Sequence, residues 1–209
     1  MNKLFEGVWE FSHRTYQKYE SLFGQLKDRQ NPHTLFITCS DSRIVPALIT
    51  QSQPGELFVI RNVANIVPPA HQAEAYAGHL SAVEYAVQVL DVDRVVICGH
   101  SNCGGCRALF ADPDEIQALP HTRKWLQLAH PARERAEARQ SQLWKDHPYR
   151  SVEQENILLQ MENLRSHPFI RDKQESGSLA IYGWYYDIGG GIIYHYNATK
   201  DAFEAIGKR

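Results

Sequence analysis

The chain has 209 residues, 43% of them hydrophobic, and a formal net charge of -2. That length fits one α/β domain over residues 1–209 with a proper core, and the near-neutral balance without a large basic run excludes a nucleic-acid binder of the electrostatic kind. Residues 1–6 soon turn polar and acidic, which suits neither a signal nor a transit peptide, and no apolar run approaches the ~18 residues of a transmembrane segment.

Residues 3–28 carry Leu4, Val8, Phe11, Tyr19, Leu22, Phe23 and Leu26 at helical spacing, with Gly7 and Gly24 as expected punctuation. Two readings stand: a helix on its own core, or an aromatic arm (1–28) packed on a partner subunit. Pro32 bars helix continuation, so 29–33 is a loop. A strand follows at 34–38 and runs into Cys39-Ser40-Asp41-Ser42-Arg43. After a short helical piece and a turn at 53–55, residues 57–60 form a second strand, and 61–65 form a polar turn. A long amphipathic helix is expected from about 72 to 90, with Gly78 marking close packing and Ala77, Val83, Ala86 and Val87 facing a sheet. Residues 94–99 make a buried strand that stops at Gly99.

Gly104-Gly105 opens a helix to about 111, stopped by Asp112-Pro113. The stretch 121–145 is helical and strongly charged, and Pro148 introduces another helix with Val152, Ile157, Leu158 and Leu164 apolar. Residues 179–184 form a fourth strand and 187–191 a hairpin turn. The chain's last strand, 192–196, should run antiparallel at a free edge. The alternation predicts an α/β fold: a mainly parallel sheet of about four strands with an antiparallel edge strand, helices on both faces, and an N-terminal helical arm.

The chemistry lies at strand ends, where open α/β sheets place their sites. His100 and Cys103 are three apart, so a tight turn can aim both at one ion. If the strands ending at Cys39 and His100 lie side by side, Cys39, His100 and Cys103 converge. Two thiolates and an imidazole suit one Zn2+ per chain, and three protein ligands leave a fourth position for water. A closed structural site would need a fourth ligand, for which Asp41 and Cys106 are candidates. Cys106 falls inside the helix after the glycines and should point to the body. Cys98 reads as a small buried residue.

Arg43 offers a planar fork two residues from Asp41. With Asp41 on that fork the fourth position stays open; with Asp41 on the metal it shuts. The four cysteines suit metal chemistry in a reducing compartment better than a disulfide framework. Rival readings fit the spacing less well. Cys39 and Arg43 are too close for a phosphatase loop. The 99–105 glycines lack the Gly-Lys-Ser/Thr ending of a phosphate loop. A Cys103–Cys106 redox pair would leave His100 and Cys39 unexplained.

Together, Cys39-Ser40-Asp41-Ser42-Arg43, Pro54-Gly55-Glu56, Arg61-Asn62-Val63-Ala64-Asn65 and Gly99-His100-Ser101-Asn102-Cys103-Gly104-Gly105 resemble the β-class carbonic anhydrases, in register from about Leu22 to Tyr196. The resemblance implies a carbonate dehydratase, a lyase for the reversible hydration of CO2 to bicarbonate and a proton by zinc-bound hydroxide. It implies zinc on Cys39, His100 and Cys103, and Asp41 and Arg43 as a dyad beside it. It also implies a homodimer or a larger even-numbered oligomer, with N-terminal helices embracing the partner.

The chain is most similar to the plant-type branch. There, Gln30 matches a glutamine that hydrogen-bonds the substrate, Phe58, Val63 and Tyr85 match pocket positions, some supplied across the dimer, and Gly104 matches a backbone N–H donor. One branch of the family closes its site with Asp on zinc and bicarbonate held beside a tryptophan three residues before the first cysteine ligand. Phe36 stands there in this chain, with Arg61 still present, so an open site at neutral pH is expected. The same fold and ligands also serve carbon disulfide and carbonyl sulfide hydrolases, and an inactive zinc-stabilised scaffold would keep the ligands alone. The proton shuttle is left open among His33, His71 and His79, each equally read as a surface or capping histidine. The expected compartment is the cytoplasm, a bacterial microcompartment included.

Overall fold

The structure, a computed structural model, describes residues 2–207 apart from the side chains of 113 and 114. Six strands form one sheet in the order β2-β1-β3-β4-β5-β6. They are β1 (Thr34–Cys39), β2 (Leu57–Asn62), β3 (Arg94–His100), β4 (Ala180–Asp187), β5 (Ile192–Asn197) and β6 (Ala202–Ala205). The first four pair in parallel, and the last two add antiparallel. β1 is buried along its whole length and β3 from Val95 on. That explains their unbroken apolar runs: a central parallel strand is covered on both faces and shows no alternation.

The long helix Pro148–Arg165 lies on one face, with Ile157, Met161 and Leu164 against Leu35, Ile37, Val95 and Ile97. Its approach is set by two glycines. A Cβ on Gly99 would come 2.8 Å from Ile157 Cγ1, and one on Gly183 would come 2.6 Å from Met161 Sδ. The other face is thinly covered. Phe36, Val96 and Cys98 pack there with Ile49 of the short helix Pro46–Thr50, and with Trp184 and Tyr186. Beside them opens a cleft of about 760 Å³ lined by Phe36, Val96, Tyr182, Trp184 and His195 among others. A further apolar cluster caps the carboxyl ends of the strands. It joins Cys39, Ala64, Cys103 and Cys106 to Leu126, Ala136 and Val152 from the segment after β3.

Several expectations are corrected. The arm is helical from Lys3 to Leu26 and runs straight through Gly7 and Gly24. Its irregularity is a π-helical stretch at Phe11–Thr15. Among its described residues none is buried, so it does not sit on a core of its own. The stretch over 72–90 divides into a 3-10 segment Ala70–Tyr76, an α-helix Ala77–Glu84 and a π-helical Tyr85–Val89. Val83, Ala86 and Val87 are buried as expected, but Ala77 is exposed and Gly78 has open space around it.

β3 continues through Gly99 to His100. Residues 61 and 62 belong to β2, and the turn proper is 63–65, with positive φ at Ala64 (64°) and Asn65 (47°). The helix opened by Gly104 ends at Ala108. β5 is not the edge, because β6 pairs outside it. β6 escaped notice because only Phe203 of its four residues packs on the core.

Candidate metal centre

β1 and β3 are neighbours in parallel register, with Thr38 opposite Cys98, so both strands deliver their ends to the same place. Cys39, His100 and Cys103 meet there, with one ligand atom from each within 4.8 Å of the others. All three are buried. Cys39 Sγ and Cys103 Sγ are 3.9 Å apart. Two Zn–S bonds of about 2.3 Å at a tetrahedral angle span about 3.8 Å, so the sulfurs already stand at the spacing of a zinc site.

The histidine fits as well. His100 Nδ1 lies 3.0 Å from the Ser101 carbonyl, which holds the proton on that nitrogen. Nε2 is buried and has no hydrogen-bond partner among the described residues. A buried orphan acceptor beside two thiols is the mark of a metal ligand. The thiols tell the same story. Contact with the Cys103 thiol, then burial, pushes Cys39 up to about 12. Cys103 is pushed up too, first by the Cys106 thiol beside it. Two such groups become thiolates at neutral pH only against a strong cation. Among the described residues Cys106 is not part of the ligand set, and Cys98 is buried with its pKa raised by burial, as a structural cysteine should be.

Asp41 is held away from this cluster by Arg43. The guanidinium donates from Nε to Oδ1 at 2.9 Å and from Nη2 to Oδ2 at 2.8 Å, and the Arg43 backbone N–H adds a third bond to Oδ1 at 3.0 Å. These bonds hold the Asp41 carboxyl far below the usual carboxylate range. Oδ2 faces His100 Nε2 at 3.9 Å. Oδ1 therefore has two donors, whereas Oδ2 has one and keeps a lone pair on the cluster side. Arg43 Nη2 also reaches the Asn102 carbonyl at 3.2 Å, tying the two ligand loops together.

The other sequence-predicted residues divide. Val63 follows Asn62, which pairs with Cys39, and its side chain would meet any Cβ placed on Gly105. Gly104 directly follows Cys103 and opens the next helix. Phe58 is opposite Leu35, four residues back along the sheet from the Asn62–Cys39 pair, or about 13 Å at ~3.3 Å per residue. Tyr85 lies tilted against Phe58, with ring centroids 6.1 Å apart. Gln30 is exposed in the loop before β1. Phe58 is thus set back along the sheet from its own chain's cluster. Of the histidines, His33 bonds Thr34 and His71 is exposed beside Gln72. Burial pushes His79 down to about 4, so it stays neutral at pH 7.

Sequence reasoning missed two sets of residues on the helix Pro148–Arg165. Glu153 is buried, with Oε1 accepting the Cys103 N–H at 2.9 Å and Oε2 accepting the Tyr185 O–H at 2.9 Å. Burial raises it to about 7 against the pull of those donors. Further along, Asn156 donates to the Ala64 carbonyl at 2.8 Å, and Gln160 accepts the Val67 N–H at 2.9 Å. They clamp the left-handed turn that packs Ala64 on Gly105. The signal was there: polar residues at helical spacing inside an otherwise apolar face.

A family profile described as "Carbonic anhydrase" matches residues 34–193. A solved structure, "The structure of the beta-carbonic anhydrase CcaA", superposes with a TM-score of 0.92 at 37% identity over 99% of both chains. The chain belongs to the β-class carbonic anhydrases. Its relatives include a carbonic anhydrase of Helicobacter pylori (strain J99), 39% identical over 97% of this chain and 93% of that protein. Carbonic anhydrase 1 of Escherichia coli O157:H7 is 42% identical over 97% of this chain and 91% of that one. The Coccomyxa β-carbonic anhydrase in complex with acetazolamide superposes with a TM-score of 0.80 at 27% identity, over 93% of this chain and 85% of that one. As a carbonic anhydrase the chain is a zinc-binding lyase, and Cys39, His100 and Cys103 are the cluster typical of the β-class zinc site. Among the described residues no helix is long and apolar enough to cross a membrane.

Proposed function

We propose that this β-carbonic anhydrase hydrates CO2 at an open site of the plant-type kind, and that its working unit is at least a dimer. The observation that carries the open site is the fork: both Asp41 oxygens are engaged by Arg43. When bound, zinc supplies a nucleophile at neutral pH by acidifying a water. The chain's own residues do the rest. Cys39, His100 and Cys103 would hold the metal, with Nε2 as the imidazole donor. Asp41 stays ionised because Arg43 depresses it, so it accepts a hydrogen bond at Oδ2 and turns the nucleophile's lone pair towards the carbon. The apolar wall around Cys39, Ala64 and Cys103 keeps bulk water out, which strengthens every charge interaction inside.

Arg61 supports the open state by its engagement elsewhere. Nε donates to the Cys39 carbonyl at 3.2 Å and Nη2 to the Asp41 carbonyl at 2.7 Å. Phe36, in the place of the locking tryptophan, is buried edge-on against Trp184. A bicarbonate lock would have to take Arg61 off those carbonyls with no indole to help.

Two observations support the dimer. The arm exposes Leu4, Phe5, Val8, Trp9 and Phe11, a stripe too apolar to face water unpartnered. Phe58, with Tyr85 beside it, stands back from its own cluster, and a second copy gives it a site to line. A tetrameric β-carbonic anhydrase of the filamentous ascomycete Sordaria macrospora, 28% identical, superposes with a TM-score of 0.78. In this reading the chain is one domain with 1–28 as its dimerisation arm, and its reduced, buried cysteines suit the cytoplasm.

One sample tests both parts: sedimentation, zinc analysis and stopped-flow CO2 hydration at neutral pH. We expect a dimer or larger, one zinc per chain, and activity only weakly inhibited by bicarbonate. A stable, active monomer would rule out the shared site. A neutral-pH crystal structure with Asp41 on the metal would rule out the open one.

A further inference from the structure

We infer that Glu153 is a positioning residue for the metal centre, setting the Cys103 sulfur from behind through the backbone of its loop. The inference rests on the reading of Cys39, His100 and Cys103 as the zinc ligands. Glu153 stands on the helix Pro148–Arg165, 50 residues beyond Cys103, and reaches it through the Cys103 backbone. Its side chain is 3% exposed. Oε1 accepts the N–H of Cys103 at 2.9 Å, and the Asn102 N–H also lies against the carboxylate. Oε2 accepts the Tyr185 hydroxyl at 2.9 Å. The Arg150 guanidinium lies over the Tyr185 ring, 5.2 Å from its centroid.

One carboxylate thus joins three elements: the helix, β4 and the loop that follows β3. A carboxylate is an expensive group to bury. If the need were only to fill space or accept one N–H, a neutral side chain would do it at lower cost. What the carboxylate adds is acceptor capacity: its two oxygens take the Cys103 N–H, the Asn102 N–H and the Tyr185 O–H together. The bond to Cys103 acts on the ligand itself. Cys103 carries a ligand on a turn with Asn102 at φ 56°, and its amide has to be pinned for Sγ to hold its 3.9 Å spacing from Cys39. Groups behind a ligand orient it in this way, and their loss costs about 10–100-fold in metal affinity.

The test measures zinc affinity by chelator competition on the full-length protein, with the cobalt(II) form read by its thiolate charge-transfer band. Glu153→Ala should lose tenfold or more in zinc affinity and shift the cobalt band. Glu153→Gln keeps an acceptor for the Cys103 N–H, so it should restore the band while recovering only part of the affinity. Tyr185→Phe, which removes the Oε2 partner alone and keeps the ring, should shift the band in the same direction by less, and it serves if Glu153→Ala does not fold. Wild-type affinity and an unmoved cobalt band in Glu153→Ala, or in Tyr185→Phe should the first variant not fold, would overturn the inference even if the melting temperature fell. A wild-type chain that takes up no zinc would defeat the metal centre itself, and Glu153's role with it.

Discussion

The two loops that bring the thiols together are held in opposite ways. The loop after β1 carries Cys39 and Asp41, and cations hold it. Arg61 grips its carbonyls, and Arg43, with its side chain 46% exposed, forks the Asp41 carboxylate at the mouth. The loop after β3 carries His100 and Cys103, and a buried acid holds it. Glu153 takes the Cys103 N–H, while the Ser101 hydroxyl accepts the Ile188 N–H. The first loop meets solvent and presents the Asp41 carboxylate. The second keeps its two ligands, His100 and Cys103, out of solvent. The Asp41–Arg43 pair and the buried acid behind Cys103 therefore lie on different loops, with the zinc ligands shared between the two.

The strongest perturbation removes a ligand from either loop. Cys39→Ser or His100→Ala should lose the zinc and drop CO2 hydration to background, because three protein ligands leave no spare. Cys106→Ser, one helical turn beyond Cys103, should keep one zinc per chain by metal analysis; its loss would show that the wrong sulfur had been assigned. Next in size comes Asp41→Asn, which breaks the acting side of the first loop alone. It should lower kcat by about 10²-fold, with zinc content unchanged, since a fixed anionic acceptor is replaced by an amide with the wrong polarity on one side. Zinc loss in this variant would mean that the two loops are not independent.

The smallest effect should come from Arg61→Gln. It takes charged donors from the Cys39 and Asp41 carbonyls and should cost about 1–3 kcal/mol of stability, read as a lower denaturant midpoint. All three ligands remain, so zinc should stay at one per chain by metal analysis.

Much of this centre was legible before any coordinates. A His-x-x-Cys turn at the end of an apolar run, and a second apolar run ending in Cys-x-Asp-x-Arg, report local geometry that the chain carries with it. The Asp41–Arg43 fork is two residues long and needs nothing else to form. The groups behind the loops were not legible. Glu153 sits in a helix whose spacing reads as amphipathic, and a carboxylate there looks like a solvated one until the loop is laid against it. The edge of the sheet was misplaced for a related reason. Ala202–Ala205 has too little apolar surface to mark a strand, and it forms one because β5 offers an unpaired edge and Tyr185 and Tyr196 receive Phe203.

The sequence by itself determined the ligand types, their spacing within each loop, the parallel character of the central strands and the polarity of the mouth. All of these depend on residues within a few positions of one another, where bond geometry leaves few choices. Only the tertiary structure decided that β1 and β3 are neighbours, so that Cys39 meets residues some sixty positions away. It alone placed Glu153, Asn156 and Gln160 behind the site, and left the arm bare of any core in its own chain. Those outcomes depend on which surfaces cover one another once the sheet is assembled. Burial and register across a sheet are properties of the whole packed chain, and no local spacing encodes them.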